Sequence, residues 1–271
     1  MKTAIIGGSG VYDPSMLTDV REVPVKTIFG DVLEQEGKLE GREVLFLARH
    51  GAGHTVAPHK INYRANIAAL KVLGADRIIA TAAVGSLSDR LIPGSFVIPD
   101  QFIDNTWGRP VQFFDEGEWA VTHIDVTEPY CPQMSDVLAA CCKKKGLPYK
   151  KGGTYVCFQG PRYETAAEVR MFGMLGGDIV GMTHVPEIVL AREAEICYGG
   201  ICVVTNFPAG IAKQKLTHGE VNEMMAKVNK PLKEVIADAI INMPEEHTCK
   251  CGEALDEMVS WGRRRPNFLA R

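Results

Sequence analysis

The sequence predicts one α/β domain, and three observations carry that expectation. Short apolar runs of strand length recur along the chain, each ending in glycine, a small residue or a polar side chain. Stretches with apolar residues at helical spacing alternate with them, the order expected of strand–helix–strand units. No internal repeat, low-complexity block or Pro/Gly/Ser-rich linker divides the 271 residues. A polar segment from about residue 242 reads as a tail, 242–271, on a domain spanning 1–241. The length suffices for a substantial core, and 46% hydrophobic residues fit a soluble globular protein.

Thr3-Ala4-Ile5-Ile6 is a buried strand ending in Gly7-Gly8-Ser9-Gly10. Glycines there let backbone N–H groups approach an anion, and Ser9 adds a hydroxyl; a plain tight turn is the other reading. A dinucleotide fingerprint fails on spacing, since Tyr12 and Asp13 follow Gly10, and no Lys-Ser/Thr completes a phosphate loop. Glu43 to Ala48 is the next strand, followed by Arg49-His50-Gly51. That pair suits an anion contact, or a charged surface loop. His54 and His59 share the loop, with no acidic or cysteine metal ligand near them. Ile61 to Leu73 is amphipathic at helical spacing and should pack on the sheet.

Arg77 to Ala80 is a third strand, running into a turn of small residues from Thr81 to Leu87. Small side chains there either expose backbone N–H groups to a ligand or simply pack. Pro93-Gly94 turns into another strand, Ser95 to Pro99. Gln101 to Trp119 reads as an aromatic loop holding Phe102, Trp107, Phe113, Phe114 and Trp119, either a lid or subunit contact or satellites of the core. His123 follows in a similar context. Ser135 to Lys145 is a helix whose lysine-rich end suits the helix dipole.

Phe158 to His218 carries the densest chemistry. Tyr163 and Glu164 stand beside a Gly-Pro turn that opens a helical pattern. Met182 and Thr183 precede a Pro-Glu that opens another. Asn206 follows the apolar run Ile201 to Val204, which places it at or just past a strand's C-terminal end. Ligands gather outside those ends in open α/β sheets. An aromatic face, a carboxylate, a hydroxyl and a carboxamide there suit a flat, polar-edged ligand bearing an anion. Val221 to Ile241 is a long surface helix with His218 just before it. The GRRRP string near the end is a solvated terminus or an anion contact.

A net charge of -3 gives no electrostatic case for nucleic acid or an anionic membrane. No apolar run approaches the roughly 20 residues of a membrane span, and MKTAIIGGSG lacks a signal-peptide pattern, so a cytoplasmic protein is expected. Eight cysteines are too sparse for a disulfide scaffold. Cys157, Cys197 and Cys202 read as buried thiols, and Cys141-Cys142 as helical. Cys249-Lys250-Cys251, near His247, is a C-x-C pair in the tail. Zinc would want a second pair at suitable spacing, and none follows. Free thiols or a disulfide remain, and no metal is expected.

Six strings now stand in order: IGGSG, ARHG, ATAAVGSL, GPRYET, GMTHVPE and VTNF. Together, along the chain to about Ile241, they resemble the trimeric purine nucleoside phosphorylase and methylthioadenosine phosphorylase family. The resemblance implies a single α/β domain with a mixed, twisted central sheet flanked by helices. It implies cleavage of a purine nucleoside by inorganic phosphate, a co-substrate, giving free base and sugar 1-phosphate without an organic cofactor. By similarity Ser9, Arg49, His50, the backbone around Ala82-Ala83, and Thr183 hold the phosphate, and Met182 lies against the ribose. Tyr163 faces the base, with Phe207 and Pro208 beside it. A homotrimer, or a hexamer, follows from the same source, with His123 reaching the 5′ end from a neighbouring subunit.

Base selection follows from residue types. Members that cleave 6-amino purines typically carry aspartate at the positions of Asn206 and Pro208, and serine at that of Glu164. Asn206 can instead donate from its NH2 to N7 or O6, while Glu164 accepts from the N1–H of a 6-oxopurine. Asn206, Glu164 and His50 are the expected catalytic set, and inosine and guanosine the expected substrates. His218 resembles a histidine near the ribose 5′-hydroxyl; S-methyl-5′-thioinosine or S-methyl-5′-thioadenosine is the alternative. The family's pattern assigns no role to His184.

Overall fold

The computed structural model describes residues 2–8, 11, 15–51, 53–115, 120–211 and 217–268, leaving out the side chain of residue 218. Its spine is a mixed sheet. Strand β1 (Thr3–Gly7) runs parallel to β4 (Arg42–Ala48) on one side and β5 (Arg77–Ser86) on the other. A hairpin of β2 (Thr18–Thr27) and β3 (Gly30–Leu39) extends the β4 edge antiparallel. On its far side β5 pairs in parallel with β11 (Cys197–Asn206) from Arg77 to Gly85. Gly85 and Ser86 of β5 also pair antiparallel with β10 (Ile179–Gly181). From β10 the sheet continues to β9 (Thr154–Phe158) and β7 (Gln101–Asn105); from β11 it continues to β6 (Phe96–Ile98) and β8 (Tyr149–Lys151).

The sheet therefore forks at Gly85. A Cβ there would lie 3.3 Å from Val180 Cγ1 on one branch and 3.4 Å from Asn206 Nδ2 on the other. Glycine lets both branches close on β5 while leaving a cleft between their ends.

Alternation along the central strands decides what lies on each face. Ala4, Ile6, Ile78 and Ala80 point to the side of α1 (Tyr63–Val72) and α4 (His184–Glu193). Ile5, Ile79 and Val203 point to the side of α2 (Pro132–Lys144) and α5 (His218–Asn242). Strands buried on both faces need continuous apolar runs, which is why their sequences show no alternation. Each large aliphatic side chain so buried contributes about 1.5–3 kcal/mol. On the outer branch α3 (Ala166–Met174) packs Val169 and Phe172 against Val156 and Phe158.

Helix starts are fixed by side chains. The Asn62 carboxamide oxygen accepts from Ala65 N–H ahead of α1. Reciprocal capping boxes, Thr165 with Glu168 and Thr217 with Glu220, open α3 and α5. Thr217 caps α5, so His218 is its first residue rather than a loop residue before it.

Three expectations change, and one hairpin was not expected. Thr81 to Leu87 is not a turn: β5 runs to Ser86, its small side chains fitting a strand paired there with β11 and, at Gly85 and Ser86, with β10. The stretch from Gln101 begins as β7, and Phe113 and Phe114 are buried, Phe113 packing on Phe29 at 5.1 Å and Phe268 at 4.6 Å. Trp107 alone among that stretch's described aromatics is strongly exposed, and Trp119 lies outside the described residues. The hairpin of β2 and β3 carries charges on both faces and gave no apolar run to notice. Finally the tail packs: Met243, Cys251, Leu255, Met258 and Phe268 are buried, around a turn at Cys251–Glu253 and α6 (Asp256–Ser260). Among the described residues no helix is long and apolar enough to cross a membrane.

Candidate active site

A cavity of about 360 Å³ opens at the fork, between the C-terminal ends of β5, β10 and β11. Of the residues singled out from sequence, Arg49, His50, Ala82, Ala83, Tyr163, Glu164, Met182, Thr183 and Asn206 all line it. Others do not. Pro208 is buried behind Gly85, Phe207 is half-buried off the cavity wall, and His123 is exposed on the surface. Ser9 and the His218 side chain lie outside the described residues, although Val221, one turn into α5, borders the cavity.

One end of the cavity is a preformed set of buried donors around Arg49. Arg49 follows β4, and its Nε and one Nη each donate at 2.7 Å to the two oxygens of Glu187. Its other Nη donates to the Thr81 carbonyl at 2.8 Å. Both side chains are fully buried. Burial opposes the Arg49 charge, but the Glu187 carboxylate outweighs it and holds the guanidinium above its ordinary range. The Tyr198 hydroxyl donates to Glu187 at 2.6 Å and completes the carboxylate's coordination. Gly8 N–H donates to Thr81 Oγ1 at 2.8 Å, and a Cβ on Gly8 would come within 2.5 Å of the Thr81 carbonyl oxygen. Only glycine lets the end of β1 come so near.

His50 is neutral. Burial, and then the Arg49 charge, lower its pKa to about 4. Its Nδ1 lies 2.8 Å from the Val56 carbonyl oxygen, which can only accept, so Nδ1 carries the proton and Nε2 is left as an acceptor. Thr183 stands opposite, where Val185 is extended (φ -112°, ψ 129°) before the regular part of α4 begins. Thr183 N–H donates to the Tyr155 hydroxyl at 3.2 Å.

His184 gains a place here. It is fully buried, stacked on Tyr155 at 4.3 Å with 7° between planes, and its Nδ1 meets the Tyr130 hydroxyl at 2.8 Å. Burial pushes it well below the ordinary histidine range, so it is a neutral packing element behind Thr183.

The cavity is also lined by a donor and an acceptor. Asn206 is the last residue of β11. Its Oδ1 accepts from the Thr205 hydroxyl at 2.8 Å, and its Nδ2 has no hydrogen bond among the described residues. Glu164 is buried in the cavity wall, and burial raises its carboxyl above its ordinary value. A buried N–H donor would return it to the ionised form. Tyr163, 39% exposed, offers its ring at the mouth.

Sequence reading missed Arg109. Buried in the loop after β7, it donates to the carbonyls of Met182 at 2.9 Å, Val185 at 2.7 Å and Gln159 at 2.7 Å. It thereby ties the segment before Tyr163 to the segment holding Met182 and Thr183. It also donates to the Gln159 side-chain oxygen at 3.1 Å and the Tyr63 hydroxyl at 3.3 Å, and nothing near Arg109 in sequence marks it because all these acceptors lie far along the chain.

The C-x-C pair has partners after all. Cys131 and Cys197, distant in sequence, bring their Sγ atoms to those of Cys249 and Cys251, all four within 4.8 Å of one another. Spacing rules missed this because three separate chain regions supply the thiols.

The chain matches the Phosphorylase superfamily over residues 2–242. It is 52% identical over 260 residues to the 6-oxopurine nucleoside phosphorylase of Pyrococcus furiosus, covering 94% of this chain and 97% of the relative. It is 50% identical over 257 residues to a probable 6-oxopurine nucleoside phosphorylase of Dictyoglomus turgidum, covering 95% and 97%. Its backbone is similar to that of methylthioadenosine phosphorylase from Schistosoma mansoni in complex with adenine, with TM-score 0.90, 34% identity and 97% and 99% coverage.

Proposed function

We propose the reaction from one premise: the chain belongs to the Phosphorylase superfamily. It cleaves 6-oxopurine nucleosides, inosine and guanosine, with inorganic phosphate, releasing the base and ribose 1-phosphate. The observation that carries this choice is the presence in one cavity of a carboxamide donor, Asn206 Nδ2, without a hydrogen bond among the described residues, and a buried carboxylate acceptor, Glu164. A 6-oxopurine presents the complement, acceptors at O6 and N7 and a donor at N1. A 6-amino purine has no N1–H for Glu164, and a mispaired buried group costs about 1–3 kcal/mol.

Phosphate binds at the Arg49 end, with Thr183, His50, the backbone at Ala82-Ala83 and Ser9 as its partners. The Glu187 carboxylate already neutralises Arg49, so the remaining guanidinium N–H groups act as oriented donors more than as a free charge. Neutral His50 accepts at Nε2 a hydrogen bond from the P–OH of hydrogen phosphate, the dianion that carries one such group. As the C1′–N9 bond breaks, positive charge builds on the sugar and negative charge on the purine. The phosphate beneath stabilises the first and forms the new bond to C1′. The electron pair left on the purine is met by Asn206 Nδ2 at N7.

Val221 favours a second substrate class. An apolar side chain on the first turn of α5 at the cavity wall also suits a 5′-methylthio group, as in S-methyl-5′-thioinosine. Relative kcat/KM for inosine, guanosine, adenosine, methylthioadenosine and methylthioinosine decides between them, with inosine and guanosine expected to lead. Equal base release with and without phosphate would instead make the protein a hydrolase. The working unit is a homotrimer or hexamer in the cytoplasm, in which the exposed His123 reaches a neighbour's 5′ end; the mass in solution, and activity of mixed oligomers carrying H123A with a second inactive subunit, test that arrangement.

A further inference from the structure

Away from the cavity, Cys131 caps the start of α2, Cys197 opens β11, and Cys249 and Cys251 lie in the segment after α5. All eight cysteines of the chain are free thiols. We propose that Cys131, Cys197, Cys249 and Cys251 hold a structural zinc ion as a tetrathiolate, fastening the C-terminal segment to the sheet.

Geometry comes first. A tetrahedral ion with Zn–S bonds of about 2.3 Å has S···S edges of about 3.8 Å. The four Sγ atoms are mutual neighbours within 4.8 Å, and Cys197 and Cys249 are 3.4 Å apart. Two disulfides would need two separate close pairs, whereas here each sulfur neighbours the other three. Cys131, Cys197 and Cys251 are 0%, 2% and 3% exposed, and Cys249 is half-buried. Four protein ligands with no open position mark a site that holds structure rather than one that binds substrate. Soft thiolates choose zinc over the hard cations.

The surroundings suit an anionic centre. Zinc with four thiolates carries a net double negative charge, and the N-terminal end of α2 at Cys131 favours negative charge. Arg77 is the register partner of Cys197 on β5 and shares its face of the sheet. It is fully buried, and none of its guanidinium nitrogens has a hydrogen-bond partner among the described residues. A buried cation without hydrogen bonds is costly in a core; a tetrathiolate centre on the same face supplies a counter-charge. His247 completes an outer shell, with Nδ1 3.4 Å from Cys197 Sγ and Nε2 3.1 Å from Asp76 Oδ2. A histidine held between a carboxylate and a ligand sulfur is the kind of support that fixes metal ligands in place.

The full chain is purified under reducing, chelator-free conditions, and its zinc is measured by mass spectrometry of the metal and by release with a mercurial. Equimolar zinc is expected, lost in C197S and C251S. Cobalt-substituted protein should show the intense visible absorption of a tetrahedral thiolate site, a readout that does not depend on folding of the variants. Metal removal should lower Tm by roughly 5 °C or more while kcat/KM at an assay temperature well below Tm holds. Metal-free protein with all four thiols open to alkylation would overturn the proposal. So would an intact mass lowered by disulfide formation between these cysteines.

Discussion

Replacing Glu187 by glutamine tests whether the anion end is an electrically balanced unit. Glutamine keeps the side chain's shape and one acceptor oxygen, which the Tyr198 hydroxyl still reaches. It removes the charge opposite Arg49 and turns an N–H2 group toward the guanidinium, which now donates to both carboxylate oxygens at 2.7 Å. At full burial of both partners, breaking the pair costs about 3–5 kcal/mol, because the remaining charge stays in the core uncompensated. For a domain of this size that is a fall of roughly 10 °C in Tm. Phosphate should restore part of it, since an anion supplies the missing counter-charge and binds only the folded state. Thermal unfolding of E187Q and the parent, with and without phosphate, reads both effects. A Tm unchanged from the parent, or a phosphate-induced shift no larger in E187Q than in the parent, refutes the reasoning.

Asn206→Asp replaces the free donor Nδ2 by an acceptor; loss of one pairing at about 1–3 kcal/mol should cut inosine kcat/KM roughly ten- to hundred-fold and raise the adenosine-to-inosine ratio. Adenosine turnover that stays negligible beside inosine would show that the base edge is read elsewhere. His50 makes stability fall in acid: the unfolded imidazole binds its proton near pH 6.5, while the folded one waits until about pH 4. Its contribution is whole above the first value and lost as pH drops through the second, in total about 3 kcal/mol at 1.36 kcal/mol per unit. Urea midpoints for H50Q between these limits should show a correspondingly flatter slope than the parent; identical slopes would refute the assignment. Arg109→Met takes a donor from three carbonyls, at about 1–3 kcal/mol for each one left unpaired. It should lower Tm and also kcat/KM for nucleoside and phosphate together, and a variant with parental kinetics would show that Met182 and Thr183 need no such tie.

Much of this site is legible in the chain because its parts are local. Asn206 follows a continuous apolar run, so its place at a strand end needs no tertiary knowledge, and β11 ends there. Arg49 and Glu164 are likewise marked by the strand or turn beside them. Glu187 was invisible for the opposite reason. By sequence it is an acidic residue in a helix's first turn, and its partner lies 138 positions away. The same holds for Arg109, whose acceptors lie distant along the chain, and for the four thiols, whose grouping exists only after folding. In β2 and β3 the difficulty was charge: TDVREVPVKT is exposed along most of its length, and a strand with so little buried face leaves no pattern to read.

Strand β11 carries Cys197 at its first residue and Asn206 at its last. Ten residues of extended chain measure about 30 Å, a separation at which two unit charges interact by only about 0.6 kcal/mol at an effective dielectric constant of about 20. Charge at the sulfur end is thus little felt at the purine end, and its register with β5 leaves the strand no freedom to slide as a messenger. The two ends are insulated neighbours on one beam, so the tail can vary in sequence or in bound metal without retuning which base the far end accepts.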